Sequence, residues 1–181
     1  MKLICTLAAA AITLAGCAAS DSGTAGTAAV PTAAFAEIKG VDGRLLARAG
    51  VRAAGHSVRI RLEAAGLAPG IYGAHVHAVG RCDPPAFASA GPHWNPTARQ
   101  HGKDNPKGMH MGDLPNLVVG ADGRGRYEYA IADGTLAGAA ADALLDADGA
   151  AVVIHAQADD YRTDPSGNSG ARIACGILLP R

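Results

Sequence analysis

Seven histidines stand in a chain of 181 residues. His75 and His77 are separated by one residue on a predicted strand, so both imidazoles project from the same face. Two neutral imidazoles converging this way suit copper, zinc or iron, although an isolated H-x-H also occurs as a surface or core pair without a metal. A downstream loop adds His93, His101, His110 and Asp113, and a strand near the end of the chain adds His155. Ligand chemistry divides the set. His93, His101, His110 and Asp113 make three nitrogens and one oxygen, a donor set for tetrahedral zinc. His75, His77, His93 and His155 make four nitrogens, suited to tetragonal copper(II). Periodicity does not show that His93 belongs to both. His56, alone before a strand, reads as solvent-exposed.

The elements that must hold these side chains are strands. Residues 57–63 alternate, with Val58, Ile60 and Leu62 on one face and Arg59, Arg61 and Glu63 on the other. Further strands are expected at 34–39, 43–49, 71–79, 116–120, 125–131, 150–157 and 171–178. Asp-Gly pairs at 42–43, 122–123, 133–134 and 148–149 supply turns. Only the alanine-rich stretch 135–145 has helical character, weakened by Gly138. About eight strands without a long helix imply an all-β fold, a sandwich or barrel. Between Val79 and Leu117 the pattern breaks into a loop with prolines at 84, 85, 92, 96, 106 and 115. A long irregular loop inside a compact domain is functional or disordered, and its three histidines favour function.

Composition narrows the class. Sixteen basic and sixteen acidic residues cancel, so total charge points to neither nucleic acid nor an anionic membrane as partner. Charged residues at 18%, with 24 glycines and 10 prolines, argue against charge-driven disorder, a coiled coil and a multi-span membrane protein. At the N-terminus, Lys2 precedes an apolar stretch of 13 residues, 3–15, shorter than the roughly 20 a spanning helix needs and of signal-peptide size. It ends in Leu14-Ala15-Gly16-Cys17, which resembles a bacterial lipobox with Cys17 as the lipidated residue. An ordinary cleaved signal is the alternative. The expected organisation is a signal peptide over 1–16, a lipid-anchored flexible tether over 17–33 and a folded domain over 34–181. The chain is then exported and anchored through Cys17 facing the periplasm, and Ala18 after that cysteine favours the outer membrane. Cys82 and Cys175 remain as a pair in an oxidising compartment, where a disulfide is the default and two free thiols the alternative.

Several stretches resemble the copper–zinc superoxide dismutases, from about residue 35 to the end. They are Gly73-Ala74-His75-Val76-His77, Ala90-Gly91-Pro92-His93-Trp94-Asn95-Pro96, His101-Gly102, His110-Met111-Gly112-Asp113-Leu114-Pro115-Asn116, Val153-Ile154-His155 with Ala158-Asp159-Asp160, and Gly170-Ala171-Arg172-Ile173-Ala174-Cys175-Gly176. With the export signal they look like the bacterial lipoprotein branch. The resemblance implies an eight-stranded Greek-key β-barrel or sandwich with long functional loops. It implies copper and zinc as cofactors, superoxide as the small anionic substrate, and disproportionation to dioxygen and hydrogen peroxide. By the same resemblance His75, His77 and His155 ligate copper alone, His93 bridges both metals and carries a proton, and His101, His110 and Asp113 complete the zinc site. Asp159 orients His75 and His101, Arg172 attracts the substrate beside copper, and Cys82 pairs with Cys175. Trp94 stands where many members carry Phe, Tyr72 where many carry His, and the segment 160–170 is shorter than in the familiar eukaryotic enzymes. It retains Arg162 and Asp164; Lys103, Lys107 and Arg162 are the alternative sources of substrate steering, and the sequence does not choose among them. The family includes monomers and homodimers, and no apolar stripe chooses between them. Two rivals stand beside this reading. A hydrolytic zinc enzyme needs an open metal position and a general base; a metal-buffering lipoprotein without dismutase activity needs only the ligands.

Overall fold

Val58, Ile60 and Leu62 are fully buried while Arg59, Arg61 and Glu63 are exposed, so the alternation predicted for this segment holds residue by residue. The computed structural model describes residues 29–140 and 142–181. The signal peptide, Cys17 and most of the tether lie outside the described residues. Strands β1 (Ala33–Gly40), β2 (Leu45–Ala54) and β3 (Ser57–Ala65) form an antiparallel meander closed by Asp-Gly and Gly-His turns. Next come the short β4 (Gly70–Tyr72) and β5 (Ala74–His77), then the long loop with one 3-10 turn at Ala88–Ala90. The chain continues through β6 (Leu117–Val119), β7 (Arg124–Ala132), β8 (Thr135–Ala137), β9 (Ala143–Leu145), β10 (Ala151–His155), β11 (Arg172–Ile177) and β12 (Leu179–Pro180).

Seven strands join in the order β5-β10-β11-β1-β2-β3-β7, and β12 pairs β1 as the eighth. Every pair in this sheet is antiparallel, and its neighbours β5–β10 and β11–β1 are distant in sequence, as a Greek-key connection requires. Strands β10 and β5 are buried along their whole length, because loop residues cover their second face. The core is aliphatic: Ile38, Ile60, Leu62, Leu114, Leu117 and Ile154 are among its largest fully buried side chains. Trp94 packs against it at 6% exposure. His56 is exposed, as read from the sequence.

Two expectations change. The stretch 135–145 is not helical: β8 and β9 pair with each other in parallel, and Gly138 turns the chain between them at a φ of 132°. Buried Leu136, Ala143 and Leu144 draw that segment into the core, and tertiary burial outweighs the helix propensity of alanine. The single strand expected over 71–79 is two strands. At Gly73 the chain switches partners, β4 pairing β6 and β5 pairing β10. A Cβ at Gly73 would lie 2.9 Å from Ser169 Cβ and 3.2 Å from the Gln157 carbonyl oxygen, so glycine alone allows the crossing. Tyr72, in the position flagged by sequence, donates its hydroxyl to the Ala68 carbonyl at 2.9 Å.

Candidate metal centre

The hub of the site is the backbone of Val76, between the two histidines of β5. Its N–H donates to the Gly112 carbonyl and its carbonyl accepts from Trp94 N–H, each at 2.8 Å, while Gly112 N–H donates to the Trp94 carbonyl at 2.8 Å. These bonds lash two parts of the long loop to β5, bringing His93 and Asp113 beside His75 and His77. A Cβ at Gly112 would sit 2.2 Å from the Val76 carbonyl oxygen, which makes glycine obligatory there. On the other side β10 pairs β5, with Val153 opposite His75, and β10 ends at His155. The six predicted histidines therefore meet in one place, all buried. His93 is central, its ring centroid 4.0 Å from that of His75, 4.9 Å from His77, and 5.3 Å from both His101 and His110.

Four ring nitrogens are buried without a hydrogen-bond partner: Nδ1 of His75 and Nε2 of His77, His93 and His155. The opposite nitrogen of each ring is engaged. His75 Nε2 meets Asp159 Oδ2 at 2.7 Å, His77 Nδ1 meets the Gly91 carbonyl at 2.8 Å, and His155 Nδ1 meets the Gly170 carbonyl at 3.2 Å. A carbonyl or carboxylate accepts only from N–H, so these contacts fix the tautomers and leave a lone pair on the unpartnered nitrogen. His75, His77, His93 and His155 offer ligand atoms within 4.8 Å of one another. A buried polar atom without a partner is costly; four converging lone pairs fit a cation.

The second group gathers on Asp113. Its Oδ1 lies 2.9 Å from His93 Nδ1, 3.0 Å from His101 Nδ1 and 3.1 Å from His110 Nδ1. Its Oδ2 accepts the backbone N–H of Gly102 and His110. A compact group of four within 4.8 Å is formed by His75, His93, His101 and Asp113. His110 joins from the side, its Nδ1 3.3 Å from His93 Nδ1. Asp159 links the two groups, since its Oδ1 meets His101 Nε2 at 2.9 Å while Oδ2 holds His75.

Electrostatics separate the rings. Burial pushes His75 down to about 3 and His155 to about 4, and lowers His77 and His93 as well. His101 moves the other way. Burial alone would lower it, but hydrogen bonds to Asp113 and Asp159 outweigh that and hold it at about 9. Asp113 is buried, which raises a carboxyl, yet the three histidines and Gly102 N–H keep it far below the usual carboxylate range.

Arg172 lies opposite His155 where β11 meets β10. Its guanidinium donates to the carbonyls of Phe87 and Gly91, both at 2.8 Å, so Gly91 ties Arg172 to His77 through one oxygen. Cys82 and Cys175 form a disulfide that fastens the start of the long loop to β11.

Some positioning residues carried no role in the sequence. Asn116 Nδ2 donates to the Asp159 carbonyl and its Oδ1 accepts Asp159 N–H, while Tyr161 N–H donates to Asp159 Oδ1. Asp164 accepts His101 N–H at 2.6 Å. Asn116 stood inside a recognised motif, and Asp164 among the retained residues of the short segment. Gly167 gave no signal; a Cβ there would be 1.9 Å from Asp159 Oδ1 and 2.7 Å from His101 Nε2.

A family model described as "Copper/zinc superoxide dismutase (SODC)" matches residues 43–178. The chain belongs to this family. The family's metals are copper and zinc, and the donor sets above have the chemistry both metals require. Among curated relatives, the chain is 44% identical over 147 residues to "Superoxide dismutase [Cu-Zn]" of Caulobacter vibrioides, covering 80% of this chain and 84% of that protein. It is 50% identical over 121 residues to the "Superoxide dismutase-like protein YojM" of Bacillus subtilis, where the match spans 66% of this chain and 62% of that protein's length. A solved structure of a SOD-like protein from Bacillus subtilis superposes with a TM-score of 0.76 at 40% identity, covering 83% of this chain and all of that one.

Proposed function

We propose that this chain catalyses the disproportionation of superoxide, two superoxide ions and two protons giving dioxygen and hydrogen peroxide. Copper would be held by His75, His77, His93 and His155, and zinc by His93, His101, His110 and Asp113. The observation that carries the reading is the four partnerless buried nitrogens, one on each proposed copper ligand. His93 offers Nε2 to that group and Nδ1 to the group around Asp113. One imidazole serving both metals is the simplest account of that pair of contacts.

When bound, copper supplies the one-electron couple, and zinc, which has no accessible redox change, supplies fixed geometry. The chain's own residues do the rest. His93 Nε2, whenever it is not engaged by the metal, would be the atom on which a proton is held next to the substrate. Arg172 spends two of its five N–H donors on the Phe87 and Gly91 carbonyls, which leaves donors on a rigidly aimed cation for a small anion. Asp159, itself held by Asn116 and Tyr161, keeps His75 and His101 in the tautomers that present Nδ1 to each metal. In the same reading the chain is exported, anchored through the lipid on Cys17, and protects the cell envelope.

The test measures superoxide decay with the chain from Ala18 onward as apo, zinc-only and copper-plus-zinc protein at two ionic strengths. Activity confined to the copper-loaded form, falling with salt, supports the reading. Arg172→Gln should then lower kcat/KM and flatten the salt dependence while metal content stays unchanged. Full occupancy of both metals without activity overturns it in favour of a metal-buffering lipoprotein, a reading kept open by the "-like" in the name of the 50% identical relative.

A further inference from the structure

The cancelling charges of the chain are not evenly spread. Strands β1, β2, β3 and β7 together carry seven cations and three carboxylates, all on the exposed outer face of the sheet. Six of the cations are arginines: Arg48, Arg52, Arg59, Arg61, Arg124 and Arg126. The seventh is Lys39, which meets Glu37 at 3.2 Å, and Arg48 shares that glutamate at 3.7 Å. Arg61 pairs Glu63. Arg52 stands directly opposite Arg59 across β2 and β3, a like-charge pair that weakens a sheet. One carboxylate, Glu128, serves both at 3.2 Å. Among the described residues, neither Arg124 nor Arg126 has a carboxylate within ion-pair distance. Between Arg52, Arg59, Arg61 and Arg181 lies a hollow floored by Gly50, over which a Cβ would meet nothing within 4 Å. The face is a shallow, arginine-rimmed surface with a surplus of positive charge that its own carboxylates do not neutralise.

The path of the chain gives this face a neighbour. The carbonyl of Thr32 accepts Ala53 N–H at 2.9 Å, so the segment before β1 enters beside the β2–β3 turn, at the end of the sheet that carries Arg52 and Arg59. We propose that the arginine face docks the domain on the anionic phospholipid headgroups of the membrane that holds its anchor. The proposal rests on the reading of Cys17 as a lipidated residue. Cys17 and Ala33 are sixteen positions apart, and the root-mean-square span of a Gly/Ser-type linker of that length is roughly 20–24 Å. That keeps the face close to the membrane surface, where the planar fork of arginine pairs bidentately with phosphate. Arg52, Arg59 and Arg61 lie on β2 and β3, which pair neither β5 nor β10, the strands that carry His75, His77 and His155, so docking through them leaves those strands uncovered.

The test uses the chain from Ala18 onward, which keeps every described residue and lacks the lipid. Its binding is measured by co-sedimentation with vesicles of phosphatidylcholine alone and of phosphatidylcholine with phosphatidylglycerol, at low and physiological salt. Binding should require phosphatidylglycerol and weaken with salt. The triple variant Arg52→Gln, Arg59→Gln, Arg61→Gln should lose at least tenfold, since each cation near an anionic surface contributes about fivefold. Its superoxide decay and thermal unfolding should stay those of the parent. The variant Arg81→Gln, Arg99→Gln, Lys107→Gln removes the same charge elsewhere and should bind as the parent does. Equal binding to both vesicle types, equal loss in both triple variants, or tighter binding to duplex DNA than to vesicles overturns the proposal. If the first triple variant does not fold, a salt-insensitive parent overturns it alone. The mass of the mature full-length chain reports separately on lipid at Cys17.

Discussion

His101 and its neighbours differ in what they must give up to bind a metal. His101 sits between two carboxylates that hold its proton up to about 9, whereas His75 and His155 are already neutral far below pH 7. A ligand must be deprotonated before it coordinates, so metal uptake releases whatever proton the free ligand held. At pH 7.5, zinc added alone to the apo protein should release about one proton and copper added alone close to none. Titration calorimetry in two buffers of different ionisation enthalpy reads the difference, and equal release for both metals would count against the assignment. Asp159 is the second residue with a distinct prediction. An asparagine side chain in its place has one acceptor oxygen and cannot receive N–H from both His75 and His101. Asp159→Asn should therefore weaken zinc by about 10- to 100-fold, the usual cost of losing such an orienting contact, as measured by competition with a chromophoric chelator. A loss confined to protein stability, with unchanged metal affinity, would show Asp159 to be a scaffold residue only.

Among the elements, the long loop is the one whose shape is not its own. It makes no regular structure beyond one 3-10 turn and takes its course from three anchors: the Val76 backbone, the Asp159 network and the Cys82–Cys175 disulfide. The disulfide closes a 93-residue separation, and the chain-entropy account gives such a closure on the order of 4–5 kcal/mol as an upper figure. Cys82→Ser with Cys175→Ser should lower stability toward that amount in denaturant titration. It should also reduce kcat/KM in the fully metal-loaded enzyme, because Phe87 and Gly91, which aim Arg172, lie on the released segment. Stability loss with an unchanged kcat/KM would mean that the two carbonyls hold Arg172 without the disulfide. Gly167, on the segment between β10 and β11, is the tightest point of the Asp159 network. Gly167→Ala places a methyl where Asp159 Oδ1 now sits, so it should release zinc more readily while leaving the β1–β3 meander intact. Chelator competition and the far-ultraviolet spectrum test the two halves of that statement.

For the whole molecule, the site makes stability depend on pH. In the apo protein the histidines pushed below 6.5 by burial contribute stability that is present above pH 6.5. It is lost as pH falls through about 4 for His155 and about 3 for His75. His101, raised to about 9, contributes stability that is fully present below pH 6.5 and lost as pH rises through 9. The apo protein should therefore be most stable near pH 6.5, and zinc, which replaces the His101 proton, should remove the alkaline decline. Thermal unfolding of apo and zinc-loaded protein across pH 4–10 measures both limbs; a flat alkaline limb in the apo protein would contradict the role given to His101.

What the sequence determined by itself was the meander and the inventory of the site. Period-two alternation survives in residues 57–63 because one face is core and the other solvent, so each residue's own polarity reports its side. The ligands could be named because six histidines and Asp113 sit in motifs whose order and spacing resemble a known family. Three things were decided only by tertiary structure. The stretch 135–145 followed burial rather than the helix propensity of alanine. Asn116 acquired its role by approaching Asp159, and Asp164 and Gly167 theirs by approaching His101, from distant parts of the chain, and no local pattern encodes such an approach. The charge of the outer sheet face is invisible in a total of zero, because composition sums over surfaces that only the strand register separates.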